Sequence, residues 1–197
     1  FNAHRSTDDT YLRLYKFPSN RTLTSRAFIE GFGSNNYLLV DGYSFQGTAV
    51  EDDQGATPLV APAITYNALG EPNIYGMRSS WEASSVVMTR SAGTDTRRMS
   101  IHGDLTRPFV SKYGEIFNFS ANINGDLYHV NSLKRASDKP NFTGFSYRLS
   151  PKLEGQWRLP LAKKKGSISE TLEPRASIIL SPYGGNHDTI PNEDSID

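Results

Sequence analysis

From Phe145 to Leu161 the chain keeps one rule without exception. Odd positions carry Phe145, Tyr147, Leu149, Pro151, Leu153, Gly155, Trp157, Leu159 and Leu161, and even positions carry Ser146, Arg148, Ser150, Lys152, Glu154, Gln156, Arg158 and Pro160. Successive side chains of an extended strand point to opposite faces, so this order writes one uncharged face and one charged face. A helix of the same sequence would mix the two sets on every side. The run also outlasts the common strand length of about 5 to 6 residues.

Other segments repeat the rule. Phe117, Phe119, Ala121, Ile123, Gly125 and Leu127 alternate with Asn118, Ser120, Asn122, Asn124 and Asp126. Met99, Ile101, Gly103 and Leu105 alternate with Arg98, Ser100, His102, Asp104 and Thr106. Leu172, Pro174, Ala176, Ile178 and Leu180 oppose Thr171, Glu173, Arg175, Ser177 and Ser181, with Ile179 breaking the polar side. Tyr75, Met77, Trp81, Ala83 and Val87 oppose Arg78, Ser80, Glu82, Ser84 and Arg90. Weaker candidates lie at about 21–31, 36–46 and 58–67. The expectation is an all-β chain of about eight strands without a helix longer than two turns.

Turn chemistry separates the strands: Gly33-Ser34-Asn35, Asp53-Gln54-Gly55, Gly70-Glu71-Pro72, Ala92-Gly93-Thr94, Lys112-Tyr113-Gly114, Asp138-Lys139-Pro140 and Lys163-Lys164-Lys165-Gly166. Connections this short join antiparallel neighbours, which makes an antiparallel meander or an up-and-down barrel in one domain over residues 1–197. Prolines at 62, 151, 160 and 174 lack the ladder donor, so bulges or broken pairing are expected there.

Alternation alone does not say which face is wet, since soluble sandwiches and calyx barrels alternate too. Strand length favours a membrane, because a crossing strand needs about 9 to 11 residues. The polar face holds Asn, Ser, Thr and charges of both signs, as a hydrated lumen does, and aromatic residues gather toward the ends of the apolar face. A one-residue slip of the Phe145 strand would turn Arg148, Lys152, Glu154 and Arg158 toward lipid, at roughly 2 to 4 kcal/mol for each midplane Arg or Lys. That sum approaches 10 kcal/mol, enough to hold the register.

Composition then removes whole classes. Lys plus Arg number 21 and Asp plus Glu 21, so the chain lacks the basic excess of a nucleic-acid binder. It contains no Cys, hence no thiolate metal site and no cysteine nucleophile. No apolar run reaches the roughly 18 residues of a spanning helix. His4, His102, His129 and His187 are scattered, and the pairing of His102 with Asp104 on one face reads better as a polar pair than as a dyad. Ser181-Pro182-Tyr183-Gly184-Gly185 lacks the frame of a nucleophile elbow, and Gly31-Phe32-Gly33 that of a dinucleotide loop. The expectation is a protein without enzymatic activity, metal or cofactor. Sequons at Asn20, Asn118 and Asn141 read as chance, and Lys163–Lys165 as a solvated turn.

Several stretches resemble one family. Leu172-Glu173-Pro174-Arg175-Ala176, followed by Ser181-Pro182-Tyr183 and Ile190-Pro191-Asn192-Glu193-Asp194-Ser195, is similar to the central barrel region of LptD, the lipopolysaccharide-assembly family also called organic solvent tolerance protein. The stretch from Leu23 to Phe32, Thr96-Arg97-Arg98-Met99-Ser100 and Gly125-Asp126-Leu127-Tyr128-His129-Val130 resemble its alphaproteobacterial branch. The resemblance implies part of a large outer-membrane β-barrel that delivers lipopolysaccharide to the outer leaflet. It implies three kinds of partner: a lipoprotein plug, the LptE-like subunit, in the lumen; a periplasmic lipopolysaccharide-transport bridge; and membrane lipid. The non-Met Phe1 and the polar ends give the expectation of a piece, with the family's N-terminal jelly roll, its cysteines and its lateral-gate strands outside it.

Alternation then assigns the faces. Asn118, Ser120, Asn122, Asn124, Asp126, Arg148, Lys152, Glu154, Arg158, Glu173 and Arg175 are expected to face the lumen. Phe117, Phe119, Ile123, Leu127, Phe145, Leu149, Leu153, Trp157 and Leu159 are expected to face lipid. The alternatives are a self-contained porin-like barrel and a soluble ligand-binding β-barrel. An open sheet exposing Phe145, Leu149, Leu153 and Trp157 separates the first reading from both.

Overall fold

The computed structural model describes residues 1–8, 11–15, 22–49, 51–135, 139–183 and 187–191. Asn20, Asp138, Gly184, Gly185 and the run from Asn192 to Asp197 therefore lie outside the described residues. A single helical turn, α1 (Tyr11–Leu14), precedes the strands. These are β1 (Thr22–Phe32), β2 (Asn36–Gly47), β3 (Leu59–Leu69), β4 (Arg78–Thr89), β5 (Asp95–Val110), β6 (Ile116–Leu133), β7 (Phe142–Arg158), β8 (Leu161–Lys165), β9 (Ile168–Leu172) and β10 (Arg175–Leu180). Eight of them form one antiparallel sheet in the order β1-β2-β3-β4-β5-β6-β7-β10, and β8 pairs with β9 as a separate hairpin between β7 and β10. Among the described residues no strand joins β10 back to β1, so the sheet is open.

Strand length is set by where the alternation meets proline or a turn. β5, β6 and β7 run 16, 18 and 17 residues, with registers that pair Asp126 with Arg148 and Ile101 with Gly125. The run expected as one strand from Phe145 to Leu161 starts earlier, at Phe142, and ends at Arg158. Pro160 has no N–H to continue the ladder and constrains the residue before it. Leu159 thus leaves the strand, and its N–H reaches the Pro174 carbonyl at 3.1 Å. The run expected from Leu172 to Leu180 is likewise cut at Glu173-Pro174 into β9 and β10. Lys163–Lys165 are strand rather than turn; the reversal falls to Gly166, whose φ of 62° suits a residue without Cβ.

The proline expectations divide. At Pro62 the register against both neighbours shifts between Val60 and Ala63, the bulge expected there. It returns Leu59 and Ile64 to one face. Pro160 and Pro174 sit between strands. At Pro151 the expectation fails, since β6 and β7 stay in register through Ile123 and Pro151. β10 ends with Leu180 opposite Leu153, so Pro151 lies just beyond it on a stretch of β7 that no described strand flanks on that side. A missing N–H is tolerated at such an edge.

The burial of this sheet is inverted relative to a soluble domain. Phe145 is 70% exposed, Leu149 61% and Leu153 56%, while the buried side chains of the strands include Asp41, Thr96, Tyr128, Val130 and Ser146. By register Thr96, Tyr128, Val130 and Ser146 all stand on the polar face. Residues 187–191 lie against that face, where Ser146 Oγ donates to the Thr189 carbonyl at 3.0 Å. A soluble sandwich with Leu149 in its core is therefore excluded.

On the apolar face Gly103 lies opposite Trp81, and a Cβ built on it would come within 2.6 Å of the indole. At Gly155 the nearest atoms, on Phe119, are 3.7 Å away. Gly103→Ala is expected to displace Trp81 and cost about 1 kcal/mol or more, within the range for overpacking, while Gly155→Ala stays near neutral. Denaturant titration of the intact barrel, read through indole fluorescence, checks the difference.

Candidate functional site

The registers lay the even-numbered residues of β4 to β7 in rows across one face. Ser84, Ser100, Asp126 and Arg148 make one row, Glu82, His102, Asn124 and Ser150 the next, and Ser80, Asp104, Asn122 and Lys152 a third. Directly opposed side chains in an antiparallel pair lie close enough to bond. Ser100 Oγ donates to Asp126 Oδ1 at 2.6 Å, and Arg148 donates from Nε and Nη2 to Asp126 Oδ2 at 2.9 and 2.7 Å. Asp104 accepts from Thr106 Oγ1 at 2.7 Å and from Asn122. His102 meets Asn124, not Asp104.

Arg78, Arg98, Arg148 and Lys152 stand against Glu82, Asp104, Asp126 and Glu154 on one face of these four strands, and Arg158 at the end of β7 adds a fifth positive charge. Lys152 pairs with Glu154 along β7 at 3.3 Å, and Gln156 Nε2 adds a bond to Glu154 at 2.6 Å. Ser120 and Asn118 lie opposite Glu154 and Gln156. The rows wall a cavity of about 700 Å³ that Ser181, Pro182 and Tyr183 close from the side.

The structure brings the remaining polar candidates together at one end. Arg158 lies opposite Arg175, and Glu173, just before β10, accepts from Arg158 Nη1 at 3.3 Å and Arg175 Nη2 at 3.0 Å. The hydrogen bond from Arg175, with the further attraction of both guanidinium groups, holds the Glu173 carboxyl below its ordinary range. All eleven polar candidates thus share one side of the sheet.

The apolar candidates share the other side. Phe117 pairs with Trp157, stacks on Phe119 at 6.2 Å, and lies 6.1 Å from Phe109, while Trp157 Nε1 donates to Glu115 at 3.2 Å. Phe145 stands at the opposite end beside His129, 4.6 Å between rings. Ile123, Leu127, Leu149 and Leu153 fill the space between. Leu159 is the exception, half-buried in the connection outside the strand. On this face β5 carries Arg97 and Arg107, with Met99, Ile101, Gly103 and Leu105 between them. Ten residues at about 3.3 Å each, tilted by about 40°, span about 25 Å, the height of the apolar band of an outer-membrane barrel.

Two polar clusters escaped sequence reasoning. Arg26 grips Asp41 with Nε at 2.6 Å and Nη2 at 3.0 Å, its guanidinium 4.6 Å from the Phe28 ring. Aromatic residues on the polar side of β1 and β2 blurred their alternation. Asp188 holds Lys139 at 2.6 Å, with Arg135 at 3.9 Å. Residues 49 positions apart carry no shared periodic signal.

An open antiparallel sheet of long strands, with its large apolar side chains exposed and its burial on a charge-matched polar face, defines the wall of an outer-membrane β-barrel. The family model LptD, described as LPS transport system D, matches residues 1–196, and the chain belongs to that family. It acts in lipopolysaccharide assembly and transport at the outer membrane. No curated protein sequence matches the chain.

Asp126→Ala is expected to cost about 1 to 3 kcal/mol, because it leaves Arg148 and Ser100 without a shared acceptor, and Arg148→Gln should add little further cost when combined with it. A double-mutant cycle on the folded barrel measures that coupling. The bond from Lys139 holds the Asp188 carboxyl below its ordinary value of 3.8. A depressed carboxyl stabilises above its unfolded value and loses that contribution as pH falls through the lowered one. Protection of the Ile190 amide, which donates to the His187 carbonyl at 2.9 Å, is therefore expected, relative to its intrinsic exchange rate, to hold from pH 7 to pH 5 and to fall only below about pH 4; Asp188→Asn should lower it above that pH and match the unsubstituted chain at lower pH.

Proposed function

We propose that the even-numbered face of β4 to β7, with Arg158, Glu173 and Arg175, lines the hydrated lumen of a larger barrel of which residues 1–197 are one part. The odd-numbered face meets lipid. The observation that carries this reading is the inverted burial: water would not leave Phe145, Leu149 and Leu153 exposed while covering Asp41, Thr96 and Ser146. Each Arg or Lys turned toward lipid would cost about 2 to 4 kcal/mol at the midplane.

In this reading the lumen residues from Asn118 to Asp126 and from Arg148 to Arg158 contact a lipoprotein plug, the LptE-like subunit, or the sugar and phosphate groups of the passing lipid. A hydrogen-bonding wall of matched charge suits both, since it solvates polar cargo without holding it by net charge. A periplasmic bridge protein hands the lipid on to this machinery.

The chain has no Cys, so single cysteines report on this wall once cysteines elsewhere in the intact barrel are replaced. In the intact barrel in lipid vesicles, cysteines at 120, 122, 124 and 126 are expected to react with a water-soluble maleimide. Those at 119, 121, 123 and 127 should react at least about tenfold more slowly and be quenched by lipid-borne nitroxide. Equal labelling of both sets would sink the face assignment.

A further inference from the structure

Below the matched rows the charge count changes. At the end of the sheet where β7 meets β10, Arg158 and Arg175 oppose each other on the polar face and share the single carboxylate of Glu173. Like charges directly opposed across a strand pair repel, so this position is unfavourable unless an anion compensates it. Glu173 supplies one negative charge against two positive.

The other carboxylates nearby do not close the gap. Glu154 is committed to Lys152 and Gln156, and Glu115 accepts from Ser111 and from Trp157 Nε1. Each guanidinium has five N–H donors and gives one bond to Glu173. The side chains of Arg158 and Arg175 remain 51% and 69% exposed. They border a cavity of about 580 Å³ at the end of the sheet, lined on the polar side by Asn118, Gln156 and Ser177 and otherwise by apolar residues that include Ile116, Phe117 and Trp157. Amide and hydroxyl donors around paired planar forks match an oxyanion with several acceptors, and guanidinium binds phosphate through two parallel bonds.

We propose that Arg158 and Arg175 form a binding site for the phosphate groups of the lipopolysaccharide headgroup on the polar face, with Glu173 holding the two guanidinium groups apart and in place. The proposal rests on the reading of this face as the hydrated interior. It adds a place where cargo pauses along an otherwise charge-neutral wall. Glu173 tempers the site, so that an anion binds without being trapped.

The test uses the full-length barrel with its lipoprotein subunit in lipid vesicles, carrying a photocrosslinking residue at position 177 beside the cavity or at position 124 away from it. The probes are lipopolysaccharide with its lipid phosphates and the same preparation stripped of them by hydrofluoric acid. Arg158→Gln combined with Arg175→Gln is expected to cut crosslinking of the phosphorylated form at 177 about tenfold, the loss of one or two charge-assisted bonds. The stripped form should crosslink weakly with and without the substitutions. Glu173→Gln should raise capture of the phosphorylated form severalfold, and its resistance to detergent unfolding on gels shows that the barrel is assembled. Lys163→Gln with Lys165→Gln, which removes the same charge from β8, should leave crosslinking at 177 unchanged.

Equal capture of both forms, or an equal loss with the β8 pair, overturns the site. Competition at 177 by inorganic pyrophosphate, without capture of the phosphorylated lipid, assigns the pair to free phosphate and overturns the headgroup proposal. Crosslinking at 124 but not at 177 overturns the arginine site and leaves the hydrated-interior reading standing. Crosslinking at neither position overturns that reading and the site with it.

Discussion

Inside hydrocarbon there is no water to receive a peptide N–H or C=O, so a chain that crosses it must satisfy every backbone group within its own structure. For strands this means long, unbroken antiparallel ladders. β5, β6 and β7 meet the demand with continuous registers over most of their lengths, and β6 keeps its pairing with β7 even through Pro151. Departures from the ladder fall where their cost is low: at Pro62 as a bulge, between Val130 and Leu133 near a loop, and at Leu159-Pro160 beyond the last pair of β7.

Once the ladders fix the registers, side-chain chemistry has little freedom left. A row position decides at once which face a residue occupies and which residue it meets. Asp126 can bond Ser100 and Arg148 because all three fall in one row, and a slip of β7 by one residue would separate them while placing Arg148 on the face of Ile123 and Leu127. The same constraint explains why charges on the polar face come with partners, as Arg148 with Asp126 and Lys152 with Glu154: a low-dielectric wall on one side raises the cost of any carboxylate or guanidinium without one. Stability and the polar character of the wall thus come from one pattern.

How much of this could be read beforehand follows from how local each signal is. Parity is local, and it placed the eleven polar candidates on one side and all but Leu159 of the apolar ones on the other. Pro160 and Pro174 were visible too, yet the alternation on either side of them masked the cuts, because period 2 continues across a break when an even number of positions is skipped. Family resemblance came from short motifs spread along the chain, several of them in β1, β5, β6 and the segment leading into β10. The rest is non-local. That Arg158 would face Arg175 depends on β8 and β9 looping out so that β10 returns beside β7, and nothing in the spacing of residues 158 and 175 states it. The Asp188 clasp depends on residues 187–191 folding back over the polar face, again a tertiary event.

The inserted hairpin also changes what the end of the sheet can do. Had the chain turned tightly after Arg158, a two-residue reversal would have left no room for Glu173 beside the two arginines. Looping out β8 and β9 frees Glu173-Pro174 to lie just before β10, with Pro174 accepting the Leu159 N–H and thereby pinning the carboxylate's position. The arginine pair is tolerable in the empty barrel because of that carboxylate. It remains able to take a further anion because one carboxylate cannot occupy the donors of two guanidinium groups.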